Sequence, residues 1–283
     1  IMQAVLSGKY DTHKLAVIMT QTGGCCRASN YVAFIRRALE KADLGYIPVI
    51  SLNLNGMEKN SGLTISPAMI ADMVQGAVYG DLLMRCLYRV RPYEKVPGSA
   101  NALYASWRDK CVATLMGHAN FLHYGKLCRQ IVADFDTLEL DESLHKPRVG
   151  IVGEILVKYM PLANNHLVEL LEREGAEAVV PDLLDFFNYC LYNGRYKTAF
   201  LGAGKNSDRM AKLGVKAVRL LRSPALKALE RSKRFEAPMP IEKIGQVTKP
   251  FLSLGNQYGE GWFLTGEMVE LLMSGVPNIV CIQ

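Results

Sequence analysis

Residues 14–54, "KLAVIMTQTGGCCRASNYVAFIRRALEKADLGYIPVISLNL", decide the fold class. The run 14–20 is apolar and carries β-branched residues, the pattern of a strand buried on both faces of a parallel sheet. Tyr31, Phe34, Ile35, Ala38, Leu39 and Ala42 then recur at three- and four-residue spacing. Arg36, Arg37, Glu40 and Lys41 take the other side, so an amphipathic helix follows. A second apolar run at 46–54 completes a strand–helix–strand unit, whose strands are expected to be parallel.

Outward from that unit, Ser66-Pro67 reads as a helix start, with the hydroxyl as cap and proline in the first turn. From there to about residue 141 the pattern is helical, broken around Pro92 and Pro97. Residues 146–155 restart the strand signal. Asn164 or Asn165 can cap the following helix, Gly175 can end it in the left-handed conformation, and residues 176–180 supply the next strand. Residues 198–204, "TAFLGAG", read either as a further short strand or as a turn into a basic helical stretch. Thr265 is expected to cap a helix over Met268, Val269, Leu271 and Leu272, which stops at Gly275 and Pro277 and feeds a strand at 278–282.

The fold class is therefore α/β, with two parallel-sheet units and a helical insertion. Residues 1–65 form the first unit, 66–145 the insertion, and 146–283 the second unit, which contains the basic helical segment 205–234. The opening "IMQAVLSGKY" reads as helix and the closing "PNIVCIQ" as strand interior, so the chain is expected to be a piece of a longer polypeptide.

Composition narrows the class further. The chain has 283 residues and 49% hydrophobic content, enough for substantial cores. No run of eighteen apolar residues and no secretory signal is present, which points to a cytoplasmic protein without a membrane partner. Seven cysteines, an odd number widely spread, argue for reduced thiols or metal ligands over a disulfide framework. The formal charge of +6 is local, since residues 205–234 hold ten Lys or Arg against two acids. That stretch also has Leu213, Val218, Leu221, Leu226 and Leu229 near helical spacing, so a solvated basic helix face is expected in preference to nucleic-acid binding.

Ligands of open parallel sheets collect outside the carboxyl ends of the strands, where helix N-termini and loop amides converge. The loop Gly23, Gly24, Cys25, Cys26 and Arg27 occupies such an end. Its glycines permit close backbone approach, and a thiol beside Arg27 at a helix N-terminus has its thiolate favoured. It reads either as a ligand site or as a glycine-rich connection with buried thiols. Adjacent cysteines diverge along the backbone, so at most one is expected to bind a given metal. No C-x-x-C pair is present, and His118 and His123 are five apart, so a closed zinc site from this chain alone is not expected. Glu154, at the end of the first strand of the second unit, is a cleft acid, base or ligand, or else a solvated loop carboxylate. Residues 253–267, "SLGNQYGEGWFLTGE", make a polar, aromatic, glycine-rich binding loop with Asn256, Gln257 and Tyr258, or a long surface connection. "LGAGKNS" carries half of a dinucleotide fingerprint, with Ser207 in place of the last glycine, and no P-loop is present.

"MTQTGGCCRASNYVAFIRRALEKA", "IPVISLNL", "GDLLMRCLYRVRPYE", "RVGIVGEILVKYMPLANNHLVELLEREGAEAVVPDLLDF" and the "LSLGNQYGEGWFLTGEM" to "GVPNIVCIQ" region together resemble a known family. They are similar to the C-terminal, dehydratase-like region of large CoA-substrate-specific enzyme activase-related proteins, kin of the 2-hydroxyacyl-CoA dehydratases. The resemblance runs over essentially the whole chain. It implies two Rossmann-like (flavodoxin-like) halves, with an iron–sulfur cluster and an acyl-CoA thioester held in the cleft between them. It also implies ATPase activase modules as electron-supplying partners, in the same parent chain or another, although their motifs are not in this sequence. The family loop is glycine, glycine, a variable residue, cysteine, arginine. Cys26 thus matches the presumed metal ligand, Cys25 is the substituted position, and Arg27 and the helix N-terminus tune the potential. Family members carry further cysteines before and after the stretch supplied here, so stable cluster binding by these residues alone is not expected. Cys281 is expected to be a core residue of the last strand and a lesser candidate ligand. Glu154 and Arg27 are cleft candidates, with Gly23, Gly24, Asn256, Gln257 and Tyr258 for cofactor binding. Two other readings stay open: a non-redox module binding CoA or another phosphate-bearing ligand, and an architectural domain that docks the ATPase modules.

Overall fold

A computed structural model describes residues 1–21, 26–52, 66–117 and 121–283, apart from the side chains of Phe121, Leu122, Lys205 and Ser207. The chain divides into two compact units, residues 1–65 and 66–283.

In the first unit, α1 (Met2–Val5) precedes β1 (Val17–Thr20), and α2 (Tyr31–Lys41) leads to β2 (Val49–Leu52). The two strands are parallel, in the register Val17 to Val49 through Thr20 to Leu52. β1 is shorter than the apolar run that announced it, and residues 12–14 form a 3₁₀ turn closed by Asp11, whose side chain accepts from His13 N. Val5, Leu39 and Ile47 are buried together, with Leu15, Val17, Ile35 and Val49 packed against them. Arg36 Nη2 also donates to Val49 O at 3.0 Å, tying helix to strand. Phe34, by contrast, is largely exposed.

The second unit opens with helices. Ser66 accepts from Met69 N at 3.1 Å with Pro67 in the first turn of α3 (Pro67–Val90), as a hydroxyl cap followed by proline should. A 3₁₀ turn at Arg91–Tyr93 carries Pro92, and the chain re-enters helix at α4 (Ser99–Met116), then α5 (Phe121–Asp136). The Glu94 carboxylate serves the start of α4, accepting from Gly98 N at 2.6 Å and Ala100 N at 2.7 Å.

A three-stranded parallel sheet follows, with β3 (Arg148–Gly153) between β4 (Glu177–Val179) and β5 (Asn278–Ile282). Side chains alternate across it with the period of two that strands impose. Ile151 and Ala178 face α3 and α7 (Leu167–Arg173), while Val152, Val179 and Ile279 face α11 (Gly261–Met273). Gly150 makes that second packing possible, because a Cβ there would sit 2.6 Å from Leu271 Cδ1. Asn164 caps α7, accepting from Leu167 N at 3.1 Å, and Gly175 after it is left-handed at φ +90.

At one element the structure selects between two expected alternatives, and at another it differs from expectation. Residues 198–200 are the last turn of α8 (Leu183–Phe200), so no strand forms there, and the turn at Gly202 leads into α9 (Lys205–Arg231). Thr265 lies inside α11, four residues past its start at Gly261. The start moves upstream because Trp262 N donates to Asn256 O at 2.6 Å and Phe263 N to Glu260 O at 3.0 Å. Between these helices lies α10 (Ile241–Thr248). Trp262, Phe263, Phe186 and Tyr189 form one aromatic core, with Trp262 Nε1 donating to Asn193 Oδ1 at 2.9 Å. No described helix is long and apolar enough to cross a membrane.

Candidate functional site

Cys26 lies in the connection from the carboxyl end of β1 to α2, immediately before a 3₁₀ turn, Arg27–Asn30, that runs into the helix. Its backbone is extended, and its carbonyl accepts from Ser29 N at 3.0 Å, which begins that turn. The thiol is partly exposed and in no disulfide. Gly23, Gly24 and Cys25 lie outside the described residues.

Gln21 fixes both shoulders of this loop. Its backbone N–H extends the strand pairing to Leu52 O at 2.9 Å. Its side chain then accepts from Ser51 Oγ at 2.7 Å and donates to Ser29 O at 2.9 Å. Strand β2, the end of β1 and the turn after Cys26 are thereby joined through one amide. Part-buried amide hydrogen bonds of this sort contribute about 1 kcal/mol each to holding the loop ends together. Sequence reading missed Gln21 and Ser51, since a lone glutamine and serine thirty residues apart carry no spacing signal.

In the second unit, Glu154 follows β3, and the sequence left it as a cleft group or a solvated carboxylate. It is neither solvated nor free to point outward: it is 3% exposed and its Oε2 accepts from Val157 N at 2.8 Å, capping α6 (Ile155–Tyr159). Glu260 joins it, accepting from Ile155 N at 3.0 Å. The two carboxylates neutralise the exposed amides at the start of the short helix, where negative charge is favoured. The glycine-rich loop is consequently docked at the end of β3 through Glu260. Within that loop, Asn256 Nδ2 donates to Ser253 O and Gln257 Nε2 to Leu254 O, both at 3.1 Å, so these amides brace the loop itself. Tyr258 is exposed. Cys281, expected in the core, is also exposed, on β5 at the edge of the described sheet.

Behind these groups lie buried charges that the sequence did not signal. Lys158 Nζ donates to Glu267 Oε1 at 2.6 Å, with both side chains almost wholly buried. Burial raises the Glu267 carboxyl and Lys158 opposes that rise. At the start of α8, Arg222 bonds Asp182 and Asp185, and Arg85 donates Nε and Nη2 to Asp182 Oδ1 at 3.1 and 2.8 Å. Asp81 accepts from Leu183 N at 2.8 Å and Leu184 N at 3.0 Å, so a carboxylate on α3 caps α8. Burial, then the Asp182 charge, pushes Asp81 up to about 8.

Three further thiols are poor ligands as placed. Cys86, Cys111 and Cys128 are buried among the packed helices α3, α4 and α5, and burial holds the thiol proton on each. Among the described residues, no group of three or more Cys, His, Asp or Glu is arranged to hold a metal ion. The described residues do not complete a metal site around Cys26.

No family model, no curated protein and no solved structure matches this chain.

Proposed function

We propose that this chain is the iron–sulfur, electron-accepting, dehydratase-like module of an ATP-driven acyl-CoA dehydratase activase-type protein of the cytoplasm. The observation that supports the reading is Cys26: a partly exposed thiol at the carboxyl end of a parallel strand, entering a helix, with Arg27 next to it. The motif strings quoted above agree with it, and the two parallel-sheet units are compatible with Rossmann-like halves.

In this reading Cys26 contributes one thiolate, and the cluster's further ligands come from outside the described residues. The cluster would supply low-potential electron transfer, to an acyl-CoA thioester or another substrate that is hard to reduce. The chain's own part is to hold the thiol. Gln21 ties the loop ends together. Of the loop residues, Tyr258 is exposed to meet a ligand, whereas the amide nitrogens of Asn256 and Gln257 are engaged within the loop.

Anaerobic reconstitution with iron and sulfide, on the polypeptide extended at both ends, tests the proposal. The extended protein should take up iron and show a paramagnetic signal after reduction, and Cys26→Ala should lose most of both. An extended protein that binds no iron, or a Cys26→Ala form with unchanged iron and spectrum, overturns it.

A further inference from the structure

α9 is amphipathic twice over. Its inner side is satisfied by the fold: Ala211, Val215, Arg222, Ala225, Ala228 and Leu229 are buried. Its outer side carries a second apolar row, Met210, Leu213, Ala217 and Leu220, in the three–four–three spacing that aligns side chains along one helix face. Met210, Leu213 and Leu220 are 67%, 62% and 65% exposed. A row of this kind, about 15 Å long at 1.5 Å per residue, is not needed for packing within the unit.

A row of cations runs beside it. Arg209, Lys212, Lys216 and Arg219 repeat with the same spacing, and no acid occurs between residues 209 and 219. Asp208 pairs with Lys212 at 2.5 Å and with Arg195 at 3.7 Å. Arg209, Lys216 and Arg219 have no carboxylate partner among the described residues. Past these cations the surface falls into a groove of about 400 Å³, floored by Ala211 and Val215 and walled by Tyr192 and Arg195 from α8 and by Glu242 from α10. Groove, cations and apolar row follow one another around a single helix and so form one continuous surface.

We propose that this surface docks an acidic amphipathic helix of a partner protein, whose apolar row packs on Met210, Leu213 and Leu220 and whose carboxylates meet Arg209, Lys216 and Arg219. Charge complementarity selects that occupant. A second copy of the chain would bring like charges together. A helix adapted to an anionic bilayer carries cations on both flanks of its apolar face. Here the other flank is Gly214 and Leu221, which turn inward toward the core, and a flat bilayer leaves the groove unfilled. The proposal is independent of iron binding, and its test needs no metal.

The probe is a synthetic helical peptide of about three heptads with Leu on its seam and Glu on its flanks, labelled for fluorescence anisotropy against the 283-residue chain. Binding should weaken as salt rises, about tenfold on Leu213→Ser/Leu220→Ser and about tenfold on Arg209→Glu/Lys216→Glu. Circular dichroism should be unchanged in both variants, since all four side chains are exposed. A Lys-flanked peptide should not bind. The idea fails if the acidic peptide does not bind, if the two peptides bind alike, or if either variant binds as the parent does. It fails equally if phosphatidylserine vesicles bind more strongly than the peptide and lose that binding in the same variants, or if the chain self-associates through this face.

Discussion

Lys158 and Glu267 stand 109 residues apart in sequence and 2.6 Å apart in space, a single charge-assisted hydrogen bond joining α6 to α11 inside the second unit. Glu267 Oε2 has no hydrogen-bond partner among the described atoms. Removing one member of such a pair leaves a buried charge uncompensated, at a cost of about 3–5 kcal/mol, whereas replacing both with apolar side chains is often neutral. Lys158→Met should therefore destabilise strongly in urea unfolding, and Lys158→Met/Glu267→Leu should recover most of the loss. A double variant no better than the single one would mean that the pair has a role beyond neutralising its own charges.

Gly153 sits at φ +136, where a Cβ would lie 1.8 Å from Ile282 O. The backbone passes there closely enough for Glu154 N to reach the same oxygen at 2.9 Å. Gly153→Ala should break the end of the β3–β5 pairing and displace the Glu154 cap, costing roughly 3 kcal/mol. Urea midpoints read the loss directly. An Ala variant within 1 kcal/mol of the parent, an upper bound for ordinary surface changes, would show that the strand ends separate freely.

Glu270 accepts from Met239 N at 2.7 Å, and burial, then the charge of Asp185, pushes it up to about 8. Between about pH 4.5 and 8 the folded chain keeps this proton and the unfolded chain has lost it. Stability from this group is therefore full at low pH, falls as pH rises through that window, and is level above it. Glu270→Gln keeps an acceptor for Met239 and imitates the protonated form. It should melt near the parent at pH 5 and be more stable at pH 8.5 by at least about 1 kcal/mol, since one pKa unit is worth about 1.4 kcal/mol. Parallel melting curves across pH 5–9 would contradict this.

The thiols should divide cleanly under native alkylation followed by peptide mapping. Cys26, Cys190 and Cys281 are at least partly exposed and should react with iodoacetamide. Cys86, Cys111 and Cys128 should react only after denaturation, because burial pushes Cys111 and Cys128 up to about 12 and Cys86 higher still. Slow labelling of Cys26 relative to Cys281 would mean that the loop shields its sulfur.

What the sequence disclosed was chemistry acting over a few residues. The two parallel units, the Ser66-Pro67 start, the Asn164 cap, the left-handed ending at Gly175 and the helix stop at Gly275 all depend on neighbours within a turn or two. The start of α11 did not, because Asn256 and Glu260 set it from the preceding loop. Nor did the end of α8: residues 198–204 read as either strand or turn, whereas Thr198 Oγ1 donates to Gly194 O at 3.0 Å within the helix's last turn. At the site, Cys26 at the end of β1 could be read from the strand–helix–strand order. The burial of Glu154 could not, since it depends on a side chain turning back to Val157 N. The charged groups around Asp182 left no trace at all, because their partners lie between 37 and 102 residues away and share no spacing.

That long reach constrains how the second unit can be made. Asp81 and Arg85 leave the ribosome first and Asp182 and Asp185 a hundred residues later, but Arg222 emerges last. Until it does, three acids face one guanidinium, and α3 cannot close over the start of α8 without burying carboxyl groups that lack their partner. The last quarter of the chain thus acts as a latch on the rest. A nascent polypeptide stalled before residue 222 should stay open to proteases, however much helix it has already formed.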